Sequence, residues 1–182
     1  MKRSPIHLKI ESLKHINPKE LWASFFVNPT IALMESYKLS PFPFEVTCES
    51  IVSPLVDEES EVHITIGWDS ETFPDSQRIL RTVQRPVIVE YAAVAVAFLL
   101  VTKITDCKID EVTLRGDKAD YFLCDRKLML EVSGTEISSQ LSVRLRRKSE
   151  QLQANPYGKG GYVVVCCFSN QKMCLSFLNA GK

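Results

Sequence analysis

Residues 87–101 read VIVEYAAVAVAFLLV, the longest apolar run in the chain, interrupted once by Glu90. Few structures accept such a run. It is about fifteen residues long, whereas a helix crossing a bilayer needs about twenty. The run therefore predicts a helix buried inside a protein core, starting at Pro86 and ending near Lys103. A buried strand is the alternative, because the segment is rich in valine. Either way the rest of the chain must cover it on most sides. With 182 residues and 45% hydrophobic content, the chain has enough material for one such core.

The segments after this run have sharp boundaries. EVTLR reads as a strand, Gly116-Asp117 as a turn, KADYFLC as a strand, Asp125-Arg126 as a second turn, and KLMLEVS as a third strand. A helix is predicted from Ile137 to Gln153. The NPYGKGG loop follows, then two more strands, GYVVVCCFS and KMCLSFL. A meander followed by a helical crossover implies an α/β (α+β) fold, a mixed sheet flanked by helices. The first 85 residues form a β-rich region with predicted strands at Ile6–Leu13, FEVTCESIV and EVHITIGW, joined by the acidic loop DEESE. A short helix is predicted after Asn17, with Pro18 at its first position. WDSETFPDSQ is turn-rich. Residues 1–85 are read as packing on a core formed by residues 86–182, one compact unit overall.

Composition excludes several functions. Lys plus Arg and Asp plus Glu balance at 22 each, so any nucleic-acid binding must come from a local patch. Six cysteines without a CxxC pair and three scattered histidines argue against a zinc site. Several cysteines lie in apolar runs and read as small buried hydrophobes, which fits a reducing cytoplasm better than a disulfide framework. The start MKRSPIHLKIES carries no apolar signal-peptide core.

The hairpin at residues 117–136 contains the chemistry. If Asp125-Arg126 is a two-residue loop, facing residues have numbers that sum to 251: Phe122 opposes Met129, Asp120 opposes Glu131, and Lys118 opposes Ser133. The other side then carries Ala119, Tyr121, Leu123, Leu128, Leu130 and Val132, and must pack on the core. Two carboxylates would stand with Cβ atoms roughly 5 Å apart, a destabilising arrangement. A divalent metal held by both, a proton shared through a raised pKa, or plain exposure to water would each relieve it.

These residues resemble the PD-(D/E)XK nuclease superfamily, which has a restriction-endonuclease-like core. The similarity covers Pro86 to Leu178. ADYF stands at the family's Asp position with Asp120, and LEVSG at its Glu-x-Lys position with Glu131. The resemblance implies Mg²⁺ or Mn²⁺ held by Asp120 and Glu131, with hydrolysis of DNA phosphodiester bonds in restriction, phage defence, mobile elements or repair. It also makes Glu90, on the first helix, a site candidate; the alternative is that Glu90 serves its helix N-terminus. Two positions depart from the motif. Ala119 replaces the proline, and Ser133 replaces the lysine that positions the attacking water. Lys118, opposite Ser133, is the nearest substitute. The other reading is a catalytically inactive module of the same fold that binds nucleic acid or a protein partner. Family members often form homodimers, so a second copy is a candidate partner beside DNA.

The second helix supplies the remaining candidates. Ile137, Leu141, Leu145 and Leu152 form a stripe aimed at the sheet. Lys148 falls inside that stripe, either with its stem snorkelling to water or aimed at the site. Gln140, Arg144, Arg147 and Gln151 lie on the adjoining face, where the resemblance places phosphate contacts. A solvated face carrying pairs such as Arg146–Glu150 is the simpler alternative. Lys159 in the NPYGKGG loop is a further candidate for phosphate.

Overall fold

The structure is a computed structural model that describes residues 4–16, 25–51, 53, 55, 59–69, 76–114 and 116–180. Its apolar run forms α4 (Arg85–Thr105), with Pro86 in the first turn and Asp106 closing the helix in a left-handed conformation. This helix is long and apolar enough to cross a membrane, but here it is the core helix. Side chains from Ile88 to Val101 are buried except at Glu90 and Tyr91.

The strands are β1 (Ile6–Lys9), β2 (Phe42–Glu49), β3 (Glu59–Gly67), β4 (Ile109–Val112), β5 (Tyr121–Leu123), β6 (Leu128–Thr135), β7 (Gly161–Cys167) and β8 (Lys172–Leu178). They form one mixed sheet in the order β1-β3-β2-β8-β7-β6-β5-β4. Helices α1 (Leu13–Ile16), α2 (Val27–Ser36) and α3 (Ser76–Thr82) belong to the first half, and α5 (Leu141–Gln153) crosses from β6 to its parallel neighbour β7. The amino-terminal strands extend the core's own sheet, through parallel pairing of β2 with β8.

Alternation along β6 separates two apolar layers. Leu130 and Val132 face α4 in the main core, while Met129 packs with Phe122, Val163, Val165 and Leu152 under α5. Both faces of this half of the sheet are therefore covered. The hairpin arithmetic is reproduced: Tyr121 pairs with Leu130, Phe122 with Met129 and Leu123 with Leu128. Asp125 and Arg126 both have positive φ, as a two-residue turn between twisted strands requires. The Arg126 N–H donates to Asp110 Oδ2 at 2.7 Å, and its guanidinium covers the Phe122 ring at 4.2 Å.

Several expectations need correction. The first strand stops at Lys9, because Ile10–Ser12 tightens into a 3₁₀ turn that leads into α1. EVTLR contributes only its first residues to β4. Ala119 belongs to the layer under α5 rather than to the main core, since regular pairing ends at Asp120. Ile137 precedes α5 and is exposed, so the stripe begins at Leu141. The helix expected after Asn17, and most of WDSETFPDSQ, lie outside the described residues; DEESE does so in part, its end already belonging to β3.

Cys107 and Cys124 form a disulfide with Cα atoms 5.1 Å apart. Antiparallel pairing of Ile109 with Leu123 brings the two together across 17 residues, a proximity that spacing alone does not reveal. The cysteines therefore lend no support to a reducing compartment. The others described, Cys48, Cys166, Cys167 and Cys174, are free thiols.

Gly134 sets how closely α4 approaches β6. A Cβ there would fall 2.5 Å from the Val89 carbonyl oxygen and 3.0 Å from Ala93 Cβ. Gly134→Ala is expected to cost about 1–3 kcal/mol, read as a lower urea midpoint with an unchanged slope.

Candidate functional site

The site arises because β5 is shorter than β6. Beyond Leu130, whose carbonyl takes the Asp120 N–H at 3.0 Å, β6 has no strand on that side among the described residues. The N–H groups that would have joined a ladder need other acceptors. Val132 N–H donates to Asp120 Oδ2 at 2.8 Å, and Gly134 N–H donates to Glu90 Oε2 at 3.0 Å. Two carboxylates thus continue the sheet edge where the strand stops.

Glu131, the residue before Val132, points the other way, toward α5, and is 0% exposed. Exposure to water therefore does not relieve the pairing of acids. Lys148 meets Glu131 instead: its Nζ donates to Glu131 Oε1 and lies 3.8 Å from Asp120 Oδ2. Lys148 stands two turns into α5, which begins at Leu141. Its place within the apolar stripe was the one sequence signal of that aim. Glu131 Oε2 is buried with no donor among the described residues. Burial and the nearby Asp120 charge raise the Glu131 pKa to about 7, against the pull of Lys148.

Arg144 fixes the other side. Its guanidinium donates to Ser133 Oγ and the Gly134 carbonyl, both at 2.8 Å, and to Gln140 Oε1 at 3.1 Å, and it approaches Glu90 Oε1 at 3.4 Å. A cavity of about 470 Å³ opens here, lined by Glu90, Ser133, Gln140, Arg144, Arg147 and Lys148 among others. A second cavity, of about 610 Å³, adjoins it and shares Glu90 and Lys148, with Asp120 on its wall.

Of the residues singled out in the sequence, the structure brings together Asp120, Glu131, Glu90, Ser133, Gln140, Arg144, Arg147 and Lys148. It does not bring Lys118. That residue is exposed, at positive φ in the turn before β5, and lines neither cavity. The register that placed it opposite Ser133 ends at Asp120. Lys159 is also elsewhere, donating to the Arg126 carbonyl. The Arg146–Glu150 pair occurs at 4.0 Å on the solvent side of α5.

A second network had no sequence signal. Arg85 holds Glu136 through two bonds, of 3.0 and 2.7 Å, and Tyr37 Oη donates to the same carboxylate. These bonds hold the Glu136 carboxyl below its ordinary range. They tie the start of α4 to the end of β6, which sets the position of Glu90 against Gly134.

Among the described residues, no group of three or more His, Cys, Asp or Glu side chains is close enough to hold a metal ion. No family model matches the chain, and neither a curated protein nor a solved structure does.

Raising a carboxyl pKa makes the folded state the better proton binder. Stability from this group is then present below the ordinary carboxylate range and is lost as pH rises through about 7. Metal-free protein is expected to lose on the order of 3 kcal/mol from Glu131 between pH 4.5 and 8. Glu131→Gln should remove that slope and be the more stable protein at pH 8, as read by urea unfolding in the presence of chelator.

Proposed function

We propose that this protein is a Mg²⁺-dependent nuclease of the PD-(D/E)XK type, hydrolysing DNA phosphodiester bonds at the Asp120–Glu131–Lys148 centre. The observation that carries the reading is the Lys148 ammonium between the two carboxylates. The motif lysine is missing from β6, and α5 supplies a lysine to the same pair of acids. Its charge is available where the resemblance requires one, from a different element.

The donor set suits magnesium. Mg²⁺ usually takes one or two protein carboxylates and keeps several waters. Asp120 and Glu131 would hold it, and the Glu131 oxygen without a donor is the acceptor a cation would satisfy. When bound, the metal lowers the pKa of a coordinated water and offsets charge on the scissile phosphate. The remaining work belongs to the chain. Lys148 supplies positive charge beside the attacking water. Arg147 and Arg144 line the cavity where backbone phosphate would lie, and Gln140 orients Arg144. Ser133 contributes a hydroxyl to Arg144 and no charge.

One observation favours the second reading, an inactive module of this fold that binds nucleic acid or a partner. Lys148 is already paired with Glu131, and Arg144 already donates to Ser133 Oγ and the Gly134 carbonyl, so both cations are engaged within the chain. Metal binding separates the two readings. Calorimetry with Mn²⁺ should show one site per chain in the wild type and none in Asp120→Ala. Lys148→Met removes a cation that competes for Glu131, so it should bind Mn²⁺ at least as tightly while cleaving DNA about a hundredfold or more slowly. Wild type without metal binding at millimolar Mn²⁺ would overturn the nuclease reading and leave an inactive module or an accidental likeness to the fold.

A further inference from the structure

The larger cavity is unlike its neighbour. Its walls include Phe25, Phe26, Tyr91, Val94, Val112 and Tyr121, and among the described residues that line it Glu90, Asp120 and Lys148 bring charge. Three of these apolar residues show large area to water: Phe25 is 73% exposed, Val112 58% and Tyr91 41%. Exposed apolar side chains around one concavity signal an interaction surface. The aromatic wall is anchored in the core. Tyr91 packs edge-on against Phe26 at 5.4 Å, Phe26 against Phe98 at 5.9 Å, and Phe98 against Tyr121 at 4.8 Å. Tyr91 is therefore held in place before any ligand arrives.

Position decides the occupant. The two cavities share Glu90 and Lys148, and Asp120 lines the apolar one. A ligand spanning both would set a flat apolar group against Phe25 and Tyr91. Its anionic group would lie toward Lys148, Arg144 and Arg147. A nucleotide unit carries both parts within one repeat. A base inside a duplex is stacked on both faces and cannot enter, whereas an unpaired or extruded base can.

We propose that the Phe25–Tyr91–Val112 cavity receives an unpaired nucleobase of a nucleic-acid strand whose backbone phosphate lies at the adjoining carboxylate centre. The inference rests on the reading of that centre as a phosphodiester site and adds a substrate class to it: single-stranded or locally unpaired nucleic acid. Intact duplex would then be a poor ligand.

The test is fluorescence anisotropy with a labelled single-stranded DNA twelve-mer, in Ca²⁺ to allow binding without turnover. The same backbone made wholly abasic is the comparison. Base stacking on aromatic side chains changes affinity on the order of tenfold per base. The wild type is expected to bind the abasic strand about tenfold or more weakly than the intact one. Phe25→Ala and Tyr91→Leu should bring the intact strand down to the abasic level. Leu114→Ala, an exposed residue that does not line the cavity, should change neither. The wild-type comparison needs no variant to fold. Equal affinity for both strands, or binding of neither, overturns the proposal. Cleavage of DNA by a protein with equal affinities would keep the nuclease reading and remove the base slot. Base-dependent binding without cleavage under Mg²⁺ or Mn²⁺ would keep the slot and remove the hydrolytic reading.

Discussion

A carboxylate buried between a sheet and a helix is costly unless a positive charge meets it, because burial penalises its charged form. Glu131 is such a group, and Lys148 is the charge that meets it. The pairing constrains both elements. It fixes which turn of α5 lies over β6. It also places a charged side chain inside the helix's apolar stripe, above Leu152 and Leu145. Asp120 stands close enough to keep the balance incomplete, so the pair retains a cation-accepting oxygen and a carboxyl that titrates near neutrality. Few arrangements used only for stability leave such a residue, since an apolar substitute of similar volume is often more stable. Concentrating this cost beside two cavities is characteristic of a site.

The short β5 creates the opening, and three contacts hold it in shape. Asp120 and Glu90 cap the free N–H groups of β6, Gly134 allows α4 to lie against the strand, and the Arg85–Glu136–Tyr37 cluster locks the helix start to the strand end. Each acts on the same few residues of β6. Glu90 thus serves two partners. Its Oε2 completes the sheet edge, and its Oε1 meets the Arg144 guanidinium arriving from the opposite side. The apolar layer beneath α4 and the smaller layer beneath α5 come together around this edge.

Much of this was legible from residues with strong periodicity. The hairpin register followed from one turn and one sum, and the element order from Arg85 to Leu178 followed from alternation and length. The failures have physical causes. The register that faces Lys118 with Ser133 holds only as far as Asp120, because the chain before β5 leaves the sheet in a longer turn than Gly116-Asp117 alone. Lys148 replaced Lys118 because contacts between a helix and a strand depend on packing rotation, which a wheel leaves undetermined. The disulfide depended on a β4–β5 pairing shorter and more irregular than the sequence suggested. Phe25 lies more than sixty residues before Tyr91, in a region without clear pattern, so no local signal could have placed both in one cavity.

The sheet order has a consequence for the chain during synthesis. β2 joins the core through β8, whose residues 172–178 are the last of the described strands. An emerging chain would carry β1, β2 and β3 for more than a hundred residues before their outer partner exists. Until then β2 is an open edge with free N–H and C=O groups, of the kind that recruits other strands. Closing such distant pairs is slow, because loop entropy must be lost before contacts return it. The sheet is therefore completed only after β8 has been made, and until then β2 is an edge exposed to misassembly.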